Sequence, residues 1–152
     1  MKHDLRNAIE IVARLMPDGK PWWIIGSTAM ALSGIDIEPD DVDVLSDGAT
    51  ITAVLAKLGM APPPPAGNSR FRSFPFASYQ ARDTARIEFM GDLELNEDGA
   101  WTRLIVTTRQ SVRVGDAVVF VPDLIEQRHI LQRFGREKDV RKAALISAIL
   151  TP

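Results

Sequence analysis

Asp41-Val42-Asp43-Val44 alternates an acid with a β-branched residue over four positions. Successive side chains of a strand leave opposite faces, so this period of two fits a strand with its valines toward a core and both carboxylates on the other face. A chain carrying such a strand must cover the valine face and leave the carboxylate face to water or to a cation. Pro39 keeps Glu38 extended just upstream. Asp40 belongs to that turn rather than to the acid row.

The flanking sequence supplies the cover. Leu5, Ile9, Val12 and Leu15/Met16 recur at helical spacing, and Pro17, Asp18, Gly19 and Pro21 end that helix. Trp22 to Ile25 reads as a short buried strand, in which at least one of Trp22 and Trp23 must face the core. It stops at Gly26, where Ser27 is expected to cap a short helix reaching Leu32 and closed by Gly34. A second amphipathic helix runs from Asp47 to Leu58. The proline run 62–65 is an extended spacer.

Beyond the spacer the pattern predicts strands over Phe71 to Tyr79, Ala85 to Met90, Trp101 to Thr107 and Ala117 to Val121. Asn96-Glu97-Asp98-Gly99 and Val114-Gly115-Asp116 have turn chemistry. Pro122 suits the first position of a helix with Leu124, Ile125, Leu131 and Phe134 on its core face. Gly135 breaks it, and a last helix covers Glu137 to Leu150. The expected class is α/β (α+β): one mixed β-sheet flanked by helices with a C-terminal helical pair, residues 1–152 forming a single domain.

Composition narrows the chemistry. With 152 residues and 45% hydrophobic content, the chain can build a core without staples. Having no Cys, it has no disulfide, no Cys-ligated zinc and no thiol nucleophile. Two histidines, His3 and His129, exclude a His-rich metal site, and His129 lies beside an apolar stripe. A balance of 18 Lys+Arg against 20 Asp+Glu gives no global drive toward nucleic acid or anionic membrane. Apolar runs are too short for a membrane span, and Asp4, Arg6, Glu10 and Arg14 do not suit a signal peptide, so a cytoplasmic protein is expected. Neither common glycine-rich phosphate loop is present.

What remains is acidic. Asp41 and Asp43 repel each other unless water or a cation intervenes, and two hard oxygen ligands suit Mg²⁺. Glu88, in Arg86-Ile87-Glu88-Phe89, falls on the non-core face of its strand and offers a third carboxylate, with Arg86 or Arg82 as its alternative partner. Upstream, Gly26-Ser27 ends a strand and opens a helix, where free amides can hold a phosphate. A phosphate cradle followed by a metal-binding acid pair is a layout for handling a nucleoside triphosphate.

Gly26-Ser27, thirteen intervening residues and Asp41-Val42-Asp43 together resemble the Gly-Ser…Asp-x-Asp motif of the DNA polymerase β-like nucleotidyltransferase superfamily. The segments around it are closest to small bacterial members such as abortive-infection-type nucleotidyltransferases. Pro122-Asp123-Leu124-Ile125 and Gly135-Arg136-Glu137-Lys138-Asp139 resemble the closing helical pair of these proteins. The resemblance implies transfer of a nucleoside monophosphate from a nucleoside triphosphate to an acceptor hydroxyl, with two Mg²⁺ ions, or Mn²⁺ in their place. It implies that Asp41 and Asp43 bridge the ions, Glu88 holds the one nearest the acceptor, and Gly26 and Ser27 hold the β- and γ-phosphates. Arg136 and Lys138 would balance the triphosphate, with Arg70 and Arg72 as further basic candidates.

The chain departs from the family pattern at three places. Glu88 stands where many members have Asp, Arg128 lies near a family Lys, and Lys142 lies near a family acid. The acceptor is left open among small molecule, protein and RNA. Two alternatives stand beside the enzyme: a toxin–antitoxin or phage-defence protein acting with a cognate protein partner, and a degenerate domain that binds nucleotide without turnover.

Overall fold

A computed structural model describes residues 1–151 of the chain. The elements run α1 (His3–Leu15), β1 (Trp22–Ile25), α2 (Gly26–Leu32), β2 (Asp41–Ser46) and α3 (Gly48–Lys57). Then come β3 (Ala66–Gly67), β4 (Phe71–Ser73), β5 (Phe76–Tyr79), β6 (Arg86–Gly91), β7 (Glu94–Glu97), β8 (Ala100–Arg103), β9 (Gln110–Val114) and β10 (Ala117–Val121). The helices α4 (Leu124–Phe134) and α5 (Glu137–Leu150) close the chain. This is the mixed α+β arrangement with a C-terminal helical pair, divided among three hydrogen-bonded sheets rather than gathered in one. No helix among the described residues is long and apolar enough to cross a membrane.

The first sheet has the order β1-β2-β6-β5, with β2 and β6 parallel and both outer pairings antiparallel. Alternation in β2 and β6 does what the sequence suggests. Val42, Val44, Ile87 and Phe89 are fully buried on one face, where Leu5, Ile9 and Val12 of α1 and Ile51, Val54 and Leu55 of α3 cover them. Trp22 joins that core, while its neighbour Trp23 points to the opposite side and its indole N–H donates to the Thr108 carbonyl at 2.9 Å.

The opposite face is covered over only part of its length. Ile25 and Leu45 pack there with Leu93, Leu95, Leu104, Ile130 and Phe134, and Met90 joins them. A third cluster ties α2 to the closing helices through Met30, Ile35, Leu131, Ala143 and Ile146. Asp123 caps α4 by accepting the Glu126 amide at 2.8 Å, so Pro122 precedes the helix instead of opening it. Gly135 ends α4 with φ +69°.

Three strand expectations need correction. Phe71 to Tyr79 is two strands in two sheets, broken at Phe74-Pro75, because β4 pairs with β7 and β5 with β6. The Asn96–Gly99 turn is shorter than expected: β7 continues through Glu97, and the tight turn is Asp98-Gly99, both at positive φ. The strand from Trp101 stops at Arg103, and the next segment is held instead by α4. There the Glu126 carboxylate accepts the amides of Thr107 and Thr108 at 2.8 and 2.7 Å.

Gly91, at the end of β6, is where the sheet meets α3 and the β4–β5 break. A Cβ there would lie 2.8 Å from the Phe74 carbonyl oxygen and 2.9 Å from both the Gly48 Cα and the Pro75 Cδ. Backbone atoms cannot step aside as a side-chain end can. Gly91→Ala is expected to lower stability by about 1–3 kcal/mol, read as a lower urea midpoint at unchanged slope. Gly19→Ala, whose Cβ would meet nothing within 4 Å, is the control.

Candidate active site

The parallel register pairs Asp41 with Arg86 and Asp43 with Glu88. Carboxylate oxygens of Asp41, Asp43 and Glu88 lie within 4.8 Å of one another, so two neighbouring strands deliver three acids to one point. Further along the same face the row changes character. Asp41 and Asp43 give way to Leu45, and Glu88 to Met90, both in the apolar cluster. The acids therefore occupy the stretch of sheet that this cluster leaves uncovered.

Helix α2 fixes the acid strand in place. The buried Thr28 hydroxyl donates to the Asp41 carbonyl at 2.6 Å. Gly26 turns the chain out of β1 with φ +74°, and a Cβ on it would sit 3.0 Å from Oδ2 of Asp43. Both the turn and the close approach of Asp43 suit a glycine. Ser27 is not the cap expected of it. The capping position is Ile25, which makes no side-chain cap bond, and Ser27 lies one residue inside the helix with its side against the cleft.

A cleft of about 480 Å³ opens above the acids. Gly26 and Ser27 line one side, Phe71, Leu131 and Phe134 give it an apolar wall, and Arg136, which caps α5, faces it together with Lys138 and Lys142 of that helix. Asp41, Asp43, Glu88, Gly26, Ser27, Arg136 and Lys138, expected from sequence to hold metal and phosphates, all line this one cleft. Arg136 is already engaged: its guanidinium bonds the buried Asp139 carboxylate at 2.6 and 3.1 Å and lies 4.9 Å from the Phe71 ring centre. Its first task is to shape the start of α5, which carries Lys138 and Lys142 one turn apart on one face.

The other basic candidates divide. Arg72 lines the cleft and pairs with Glu94 at 2.9 Å, whereas Arg70 donates to the Phe134 carbonyl at 2.6 Å and is not among the cleft residues. Arg128 reaches the Ser147 hydroxyl at 3.3 Å and also stays outside. His129 is exposed, away from the acids. Among the basic residues of the cleft, Lys142 and Arg86 carry no site role in the sequence reading. Lys142 could have been found as the residue four positions after Lys138. Arg86 could have been found two positions before Glu88, on the same strand face.

The field in the cleft is uneven. Burial first, then the neighbouring Asp41 and Glu88 charges, push the Asp43 carboxyl up from 3.8 to about 7, against the opposing pull of Lys142 and Lys138. Burial draws the Lys142 ammonium below its ordinary range, opposed by Asp139 and reinforced by Lys138. An Asp with a raised native pKa ionises first in the unfolded chain. Stability therefore falls as pH rises from about 4 to about 7, and the loss is complete above that. Asp43→Asn removes the effect. The metal-free variant is expected to melt roughly 3–8 °C above the wild type in alkaline buffer, the difference vanishing near the ordinary Asp pKa, as thermal melts across pH will read.

No protein-family model matches the sequence, and no curated protein matches it either. Solved structures do match in shape. A Thermotoga maritima protein assigned as a nucleotidyltransferase, TM1012, superposes with a TM-score of 0.72 at 20% identity, covering 97% of this chain and 96% of its own. The antibiotic-resistance factor ANT(2'')-Ia follows at 0.53 and 14% identity, covering 95% of this chain and 82% of its own. The lincosamide antibiotic adenylyltransferase LnuA, bound to lincomycin, follows at 0.52 and 12%, covering 91% and 93%. The chain is built on the nucleotidyltransferase fold.

Proposed function

We propose that this cleft transfers a nucleoside monophosphate from a nucleoside triphosphate to an acceptor hydroxyl, releasing pyrophosphate. The observation that carries the reading is the convergence of Asp41, Asp43 and Glu88 within 4.8 Å at the floor of an open cleft with a lysine wall. All three donors are hard carboxylate oxygens with no nitrogen or sulfur among them, which fits Mg²⁺ or Mn²⁺. The mutual repulsion that raises the Asp43 pKa is what a divalent cation relieves.

Asp41 and Asp43 would hold the ions between them, and Glu88 would hold the one on the acceptor side. Bound there, the metal supplies positive charge against the reacting phosphate and makes a hydroxyl more acidic. The remaining work falls to the protein. Gly26 and Ser27, at the edge of the cleft where α2 begins, would hold the β- and γ-phosphates. Lys138 and Lys142 approach from the opposite wall and neutralise the same phosphates, with Arg136 fixing the start of their helix.

Glu88 would receive the acceptor's proton as the acceptor oxygen bonds to the α-phosphorus. The bond from that phosphorus to the β-phosphate bridging oxygen breaks, and pyrophosphate leaves past the lysines. Phe71, Leu131 and Phe134 offer an apolar surface for a base. At about 480 Å³ the cleft falls in the range of small-ligand sites, roughly 300–1,000 Å³. We read the acceptor as a hydroxyl compound small enough to enter it, in the manner of the antibiotic held by LnuA.

Thermal-shift titration with each nucleoside triphosphate, with and without Mg²⁺, tests this. Wild type is expected to gain about 2.7 kcal/mol at a hundred times Kd, only with metal present. Asp43→Ala and Asp41→Ala are expected to fold and to lose that gain, and Lys138→Ala to weaken binding about tenfold. A metal-independent shift, or one that survives Asp43→Ala, overturns the reading. Unfolding of either Asp variant at room temperature assigns the acids to structure instead.

A further inference from the structure

Arg86 shares the open face of β6 with Glu88 and stands opposite Asp41 in the parallel pairing with β2. Its Nη2 lies 3.7 Å from Oδ2 of Asp41 and 3.4 Å from Oε1 of Glu88. One guanidinium thus bridges two of the three converging carboxylates. Both contacts are longer than a hydrogen bond between such groups, and the side chain is 54% exposed. The other cleft arginines are held far more tightly: Arg72 to Glu94 at 2.9 Å and Arg136 to Asp139 at 2.6 Å. Arg86 can leave its partners without breaking a hydrogen bond.

We infer that Arg86 is a resident competitor of the divalent cation: it neutralises Asp41 and Glu88 in the metal-free protein, yields them when an ion binds, and so sets the metal affinity of the site. The inference rests on the reading of these carboxylates as metal ligands. An ion seated on them lies one carboxylate away from the guanidinium wherever the arginine stays nearby. Repulsion between a double and a single positive charge at that separation, in surroundings close to water, weakens binding by about tenfold. Arg86 makes no ion pair with Asp43, so neutralisation before metal binding is incomplete.

Mn²⁺ binding to the full chain, followed by loss of the free-ion electron paramagnetic resonance signal, separates the possibilities. Arg86→Gln is expected to bind Mn²⁺ about tenfold more tightly than wild type, and Arg86→Lys within about twofold of it. Without metal, Arg86→Gln is expected to melt below wild type, because Asp41 and Glu88 lose their counter-ion; saturating Mn²⁺ inverts that order. Unchanged or weaker Mn²⁺ binding by Arg86→Gln, with wild type binding and Asp43→Asn not, overturns the role of Arg86 and leaves the metal site standing. No Mn²⁺ binding by wild type, or binding that survives in Asp43→Asn, overturns the metal reading and this inference with it.

Discussion

The parallel pairing of β2 with β6 decides where every acid of the cleft goes, and apolar burial on the reverse of the sheet decides that pairing. Val42, Val44, Ile87 and Phe89 are fully buried under α1 and α3. A slip of one residue would send Glu88 into that core and bring Phe89 out beside Asp43. Each of these side chains is worth about 1.5–3 kcal/mol when removed from water, far more than a loose surface ion pair. The sub-nanometre placement of three mutually repelling carboxylates is therefore held by four side chains that never touch them. Antiparallel pairing to β1 and β5 on the two sides leaves β2 and β6 no edge along which to slide.

That scaffold leaves the electrostatic work to the closing helices. Leu45, Met90 and Ile25 end the covered part of the open face, and α4 seals it through Ile130 and Phe134. Phe134 also meets Phe71 edge-to-face at 5.1 Å, joining α4 to β4. The buried Asp139 fixes Arg136 at the turn between helices, and from there α5 presents two lysines across from the acids. Acids on strands and bases on a helix are positioned by separate clusters. The gap between them is consequently a property of how the helical pair docks, through Leu131, Ala143 and Ile146 against Met30 and Ile35.

The acid row was legible because its period is strict: four residues of alternation in one strand and Ile87-Glu88-Phe89 in another fix both faces without tertiary information. Gly26 was legible as a break, and Gly135 as the joint of the helical pair. Of the two roles open to Ser27, cap or phosphate contact, the cap is excluded because Gly26 itself begins the helix, and Ser27 lines the cleft. Leu104 to Thr107 keeps strand-like alternation, and Leu104 and Val106 are indeed buried, but the Glu126 carboxylate claims the amides that follow. Which carboxylate reaches a distant amide is not written in local pattern. The same holds for Arg86 and Lys142, whose significance depends on which strand and which helix face the acids.

A fold shared with transferases does not by itself carry their reaction, since one architecture can host unrelated sites. What sets this cleft apart is an electrostatic cost that packing does not require. A strand buried on one face can place serine, threonine or lysine on its open side, and the first cluster would pack equally well. This chain instead gathers three acids and buries Asp43 close against Gly26, and that burial with the Asp41 and Glu88 charges pushes its pKa up to about 7. Arg86 offsets part of that repulsion through contacts too long to be hydrogen bonds. An arrangement optimised for stability alone would have closed those contacts, as the Arg136 and Asp139 pair is closed a short distance away. Under the proposed function a polyvalent cation would relieve the repulsion at the floor of the open cleft, and the lysine wall would meet a polyanion lying on that cation. Each half of the cleft is thus incomplete in the way the other half's ligand would complete it.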